Sequence, residues 1–189
     1  MTEILTLASL ALFVALVVAF AYVLRRAAVV VAVTREDEVF RRDGAALADR
    51  AVAAITPGAE QIDRVRRRTD SPAMLGEMLP KLIEDLDALR VEAGELAPPA
   101  ALAPAAARLA EEIERASRAV DTVRHGCVLL GVEAGRPREL EGETSIKRGY
   151  LNLLHAREAL QELAADLRSG RVDARRWFTD RHADAGTPK

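Results

Sequence analysis

A single cysteine, Cys127, leaves no internal disulfide and no cysteine-based zinc site open to this chain of 189 residues. Aromatic residues make up only 4% of it, so any core must be built from Leu, Val, Ile and Ala, which favours helices over sheets. Lysine is confined to Lys81, Lys147 and Lys189, the other bases being arginine; with the abundant alanine this reads as the coding bias of a GC-rich bacterial genome. Neither sign of charge dominates. The net charge is −2 although 30% of residues are charged, which removes a global field for nucleic acid and points to solvated helix faces.

Chemical signatures are missing as well. There is no phosphate loop, dinucleotide fingerprint, nucleophile elbow or HExxH pair. A di-iron bundle needs Glu-x-x-His motifs pointing inward, and the residues three before His125 and His155 are Thr122 and Asn152. Heptad phase also turns both histidines outward, while Cys127 falls at a core position where a thiol acts as a small apolar group. The reading is of a non-enzyme without metal or cofactor.

What is present begins with residues 4–24, ILTLASLALFVALVVAFAYVL, 21 residues without a charge. As a helix they reach about 31 Å, the thickness of a bilayer's hydrocarbon core, and are expected to form one transmembrane span. No Lys or Arg precedes the run, whereas Arg25, Arg26, Arg35, Arg41 and Arg42 follow it, which orients the N-terminus outward and the bulk of the chain into the cytoplasm. A bacterial inner-membrane location follows. The competing reading is a cleaved signal peptide, since Ala19-Phe20-Ala21 has the small-x-small form of a cleavage site. Residues 27–33, AAVVVAV, either continue the helix or pack against a neighbour.

Residues 34–170 are expected to form an antiparallel up-and-down bundle of about four long helices, and 171–189 a partly disordered tail carrying Arg175-Arg176-Trp177-Phe178. Thr34 reads as the cap of a first helix with Phe40, Leu47, Ala51 and Ile55 on its apolar face, interrupted at Thr56-Pro57-Gly58 and resuming with Ile62 and Val65. Ser71-Pro72 is a start signal for a helix whose seam is Leu75, Leu79, Leu82, Leu86, Leu89, Ala93 and Leu96, ended by Pro98-Pro99. With Pro104 in its first turn, the next helix carries Ala106, Leu109, Ile113, Ala116, Val120, Val123, Cys127, Leu130 and Ala134. After a break at Gly135-Arg136-Pro137, a last helix capped by Thr144 or Ser145 carries Ile146, Tyr150, Leu153, Ala156, Leu160, Leu163 and Leu167 and stops at Ser169-Gly170. Its spacing slips by one residue, a stammer that would overwind a strict coiled coil.

Two surfaces stand out. Lys147, Arg148, Tyr150, Asn152 and His155 crowd the stretch 143–155, ETSIKRGYLNLLH, and are the expected partner-binding residues. Gly149, costly inside a helix, serves either that surface or tight packing against a residue near Cys127. Arg25, Arg26, Arg64, Arg66, Arg67 and Arg68 are the expected contacts to anionic lipid, although Glu60, Asp63 and Asp70 beside the second group also fit a solvated, paired helix face. No base-stacking aromatics accompany them, which argues against nucleic acid. The function expected is that of a membrane-anchored interaction protein, a scaffold or accessory subunit with protein partners and room for self-association. The alternative is a tethered sensor whose bundle switches packing at the stammer.

Overall fold

In the computed structural model the backbone is described at residues 2–131 and 136–171, and side chains at 16–26, 34–131 and 137–171. All the regular structure there is helical: α1 (Thr2–Arg66), α2 (Met78–Glu95), α3 (Ala103–Gly131) and α4 (Arg136–Ser169), with 3-10 turns at Pro72–Leu75 and Ala100–Leu102. The chain divides into two compact units, Met1–Val39 and Phe40–Lys189.

In the first unit, residues 16–26 are exposed along the helix. Among the described residues no helix is long and apolar enough to cross a membrane, so the expected span at 4–24 is not supported by the structure. The greater part of that stretch, and all of 27–33, have side chains outside the described residues. The tail cluster Arg175-Arg176-Trp177-Phe178 and the residues Ala134 and Gly135 also lie outside them.

The second unit is a helical bundle, with neighbouring helices antiparallel. Gly58 of α1 lies against Leu82 of α2 while Arg50 reaches back to Glu92 at 2.6 Å. Ser117 of α3 donates to Asp87 of α2 at 3.4 Å. Leu167 of α4 packs on Gly44 of α1, and at the other end Arg68 meets Glu143 at 2.6 Å. The heptad seams explain this arrangement. Leu75, Leu79, Leu82, Leu86, Leu89 and Ala93 are buried, as are Leu109, Ile113, Ala116, Val120 and Val123. Phe40 is the one fully buried aromatic among the described residues, so aliphatic side chains carry the hydrophobic contribution to folding.

Helix boundaries depart from the sequence reading at four places, one of them at α2, which begins at Met78 and not at Pro72, so that Leu75 sits in the preceding 3-10 turn. Thr34 lies inside α1, 32 residues from its start, and not at a helix N-terminus. α1 also runs through Pro57, because the lost bond falls on a face where Ala53 and Pro57 are exposed and water can serve the Ala53 carbonyl. Buried Ile55, Gly58, Ala59 and Ile62 hold the other face, and the Thr56 hydroxyl donates to the Val52 carbonyl at 2.8 Å. Finally, α4 starts at Arg136, with Pro137 in its first turn, so Thr144 is internal and its hydroxyl donates to the Leu140 carbonyl at 2.7 Å. Other signals act locally as expected. Ser71 caps the turn that opens with Pro72, accepting from the Ala73 N–H at 3.3 Å, and Pro104 is the second residue of α3. Gly170, at φ +69°, terminates α4.

The longer α4 changes its register on α3. Residues Gly142, Ile146, Gly149, Leu153, Ala156, Leu160, Leu163 and Leu167 are all buried, and their spacing alternates 4 and 3 without a slip. The stammer came from counting Tyr150 as core. With Gly149 in that place the stammer disappears. Gly149 lies against Ala119 and Val123, not Cys127: a methyl carbon on it would sit 2.7 Å from the Ala119 carbonyl oxygen and 2.6 Å from Val123 Cγ2. At Gly126 it would lie 2.7 Å from the Gly142 carbonyl oxygen, and at Gly142 it would lie 2.9 Å from that of Gly126. Backbone oxygens cannot step aside as a side chain can. Gly149→Ala is therefore expected to destabilise the bundle by about 1–3 kcal/mol despite alanine's better helix propensity. Gly94→Ala, with nothing within 4 Å, should stabilise it by up to about 1 kcal/mol. Urea denaturation of the two variants checks both signs.

Candidate partner-binding surface

The five expected partner residues all lie on α4, but they do not form one patch. At about 100° per residue, Arg148, Asn152 and His155 share one side of the helix, Lys147 stands roughly a quarter turn away, and Tyr150 points toward α1. Lys147, Arg148, Asn152 and His155 are exposed. Tyr150 is half-buried, with the Arg66 guanidinium 5.2 Å from its ring centre, which makes it part of the α1–α4 contact.

The arginines 64–68 are exposed and engaged within the fold. Arg64 reaches Asp70 at 3.2 Å and also bonds Gln61. Arg66 and Arg67 share Asp63, at 2.6 and 2.7 Å. Arg68 is the one non-glycine residue at positive φ among the described residues, at 59°, and it terminates α1 as glycine commonly does. Its N–H donates to the Val65 carbonyl and that of Thr69 to the Arg64 carbonyl, both at 2.9 Å. The left-handed backbone sends the Arg68 side chain to Glu143, 75 residues away in sequence. Arg25 and Arg26 are exposed in the first unit.

Between the end of α1, the turn at Pro72–Leu75 and the facing ends of α3 and α4 lies an open cleft of about 650 Å³. Val65, Leu130 and Ile146 contribute its apolar lining; Arg68, Glu139, Glu143 and Lys147 supply charge of both signs. Sequence reasoning named Lys147 and Arg68 but not their meeting, because no local signal connects residues so far apart. A neighbouring groove of about 450 Å³ is lined by Leu79, Arg124 and Cys127. Cys127 is half-buried, and burial pushes its thiol pKa up, which lowers its thiolate fraction and nucleophilicity. His125 and His155 are exposed. Among the described residues no three His, Cys, Asp or Glu side chains are grouped to hold a metal ion.

Two carboxylates have environments that matter for stability. The hydrogen bond from Arg66, with Arg67 also nearby, holds Asp63 below its ordinary value. Glu112, on α3, is buried, and this desolvation raises its pKa, with only partial offset from Arg115 and Arg108. Arg115 Nη1 is 3.1 Å from Glu112 Oε2 but out of line for a hydrogen bond, so that oxygen is buried without one among the described residues. The signs are opposite. Asp63 stabilises the fold above its unfolded-state pKa, and the gain is lost as pH falls through its lowered folded value. Glu112 is tolerated in the protonated form and becomes a penalty as pH rises from its unfolded-state value toward its raised folded one. Thus Glu112→Gln should be more stable than the parent at neutral pH and converge with it in acid. Asp63→Asn should be less stable at neutral pH and likewise converge in acid. Thermal melts from pH 3 to 8, roughly the range over which carboxylates change state, test both.

No known family model, curated protein or solved structure matches this chain.

Proposed function

We propose that the protein is a membrane-anchored helical interaction protein, a scaffold or accessory subunit of a bacterial membrane complex, tethered by residues 4–24 with its bundle on the cytoplasmic side. The observation that carries this reading is the exposure of Leu16, Val17, Val18, Phe20, Tyr22, Val23 and Leu24, which ranges from 50% to 65%. Successive residues turn by about 100°, so these side chains cover every face of their helix. A helix apolar all round needs a nonaqueous surrounding, and the chain's own second unit already has a complete core. Arg25 and Arg26, exposed at the end of the run, suit anionic headgroups on the inner leaflet.

The interaction role rests on the bundle. Its buried positions are almost all apolar, while Arg148, Asn152 and His155 are exposed and aligned on one side of α4. Full-length protein is expected to sediment with membranes and to resist alkaline carbonate extraction. Replacing Val17 and Val18 by arginine should release it, because each charge at the centre of a span costs about 2.5–3.5 kcal/mol on insertion scales. Recovery of the parent protein in the soluble fraction would contradict the anchor.

A further inference from the structure

Across α4 from its buried seam runs a second stripe, Leu140, Thr144, Lys147 and Leu151, spaced 4, 3 and 4. Its leucines are out of place in water: Leu140 is 61% exposed and Leu151 44%. The charges beside the stripe are ordered along the chain. Acids come first, at Glu141 and Glu143 on its two flanks, and bases follow at Lys147 and Arg148, all exposed; Arg138 and Glu139 lie farther round the helix. Many of the other arginines in the bundle have acidic partners, as Arg50, Arg66 and Arg68 do. Glu141, Lys147 and Arg148 form no ion pair within the chain among the described residues.

We infer that this face is an isologous interface with a second copy of the same chain, α4 against α4, running antiparallel. A helix face with acids at one end and bases at the other is complementary to its own reverse. In an antiparallel helix pair, residues on the same flank face each other. A two-fold axis passing beside Ser145 and Ile146 sets Leu140 against Leu151 of the partner subunit and brings Glu141 within two residues, about 3 Å along the helix, of Arg148 of the partner subunit. In the same register, Glu143 comes within one residue of Lys147 of the partner subunit. A parallel pair would instead oppose acid to acid and base to base. A partner of a single sign, such as an anionic bilayer surface, would match one half of the face and repel the other.

This inference supplies a partner for the interaction role proposed above, and draws on the tether only for the raised effective concentration that lets a modest face suffice. The stripe from Leu140 to Leu151 extends about 16 Å along α4. Asn152 and His155 lie on the same flank as Arg148 and extend the polar border.

The test measures the dimer fraction of the full-length protein in mild detergent against concentration, by analytical ultracentrifugation. Arg148→Glu should weaken association about tenfold, since symmetry breaks each pair twice, and Glu141→Arg should do the same. The double variant, with both signs reversed, should recover the parent's association because the pair is restored in the opposite sense. Circular dichroism confirms that these exposed substitutions leave the helices intact. A parent that stays monomeric, single variants that dimerise as the parent does, or a double variant that fails to recover would each overturn the interface. Membrane fractionation reads the anchor separately, so either idea can fail alone.

Discussion

The approach of α3 to α4 at glycine is the constraint on which the rest of the bundle depends. Where Gly126 faces Gly142, and Gly149 faces Ala119, added methyl carbons would lie 2.7–2.9 Å from backbone carbonyl oxygens. A core with so few aromatic rings cannot fill a wide gap between helices, so close approach is how small side chains reach native packing density. The glycines also lock the register. Sliding α4 by one seam step, three or four residues, would bring Ile146 to a place now held by Gly142 or Gly149, against a carbonyl that tolerates only hydrogen there.

That register has consequences on the outside of α4. Setting Gly149 inward turns Tyr150 toward α1, where Arg66 covers its ring, and leaves Arg148, Asn152 and His155 facing water. It also carries Leu140 and Leu151 to the side away from the core. The interaction surface and the packing surface are thus two sides of one helix, and a change in the buried glycines would rotate both.

Electrostatics act mainly on form. Exposed ion pairs such as Arg50–Glu92 contribute little, commonly under about 1 kcal/mol, yet they join helices distant in sequence and favour one pairing. Arg68 adds a different element. Its left-handed backbone costs about 1–2 kcal/mol, and that conformation both closes α1 and directs the guanidinium across the cleft to Glu143. Glu112, with one carboxylate oxygen lacking a hydrogen bond, is the one charged residue buried in the core among the described residues.

Much of this architecture is legible in the order of residues. The seams of α2 and α3, the Ser71-Pro72 start, Pro104 and Gly170 act through periodicity and backbone chemistry, which are local and need no partner to be read. The Pro57 break, the Thr144 cap and the stammer at Tyr150 are absent from the structure for one reason: intrinsic preference points to each, and packing decides otherwise. Proline is tolerated where its neighbours on the buried face hold the helix, and glycine becomes a core residue when a facing backbone leaves no room for a side chain. Sequence by itself determined that the chain is helical, where its apolar stripes run and that an uncharged stretch precedes the bundle. Only the tertiary structure decided which residue of each stripe meets which, because contacts such as Gly149 with Ala119 or Arg68 with Glu143 arise from helix register, a property of two segments together.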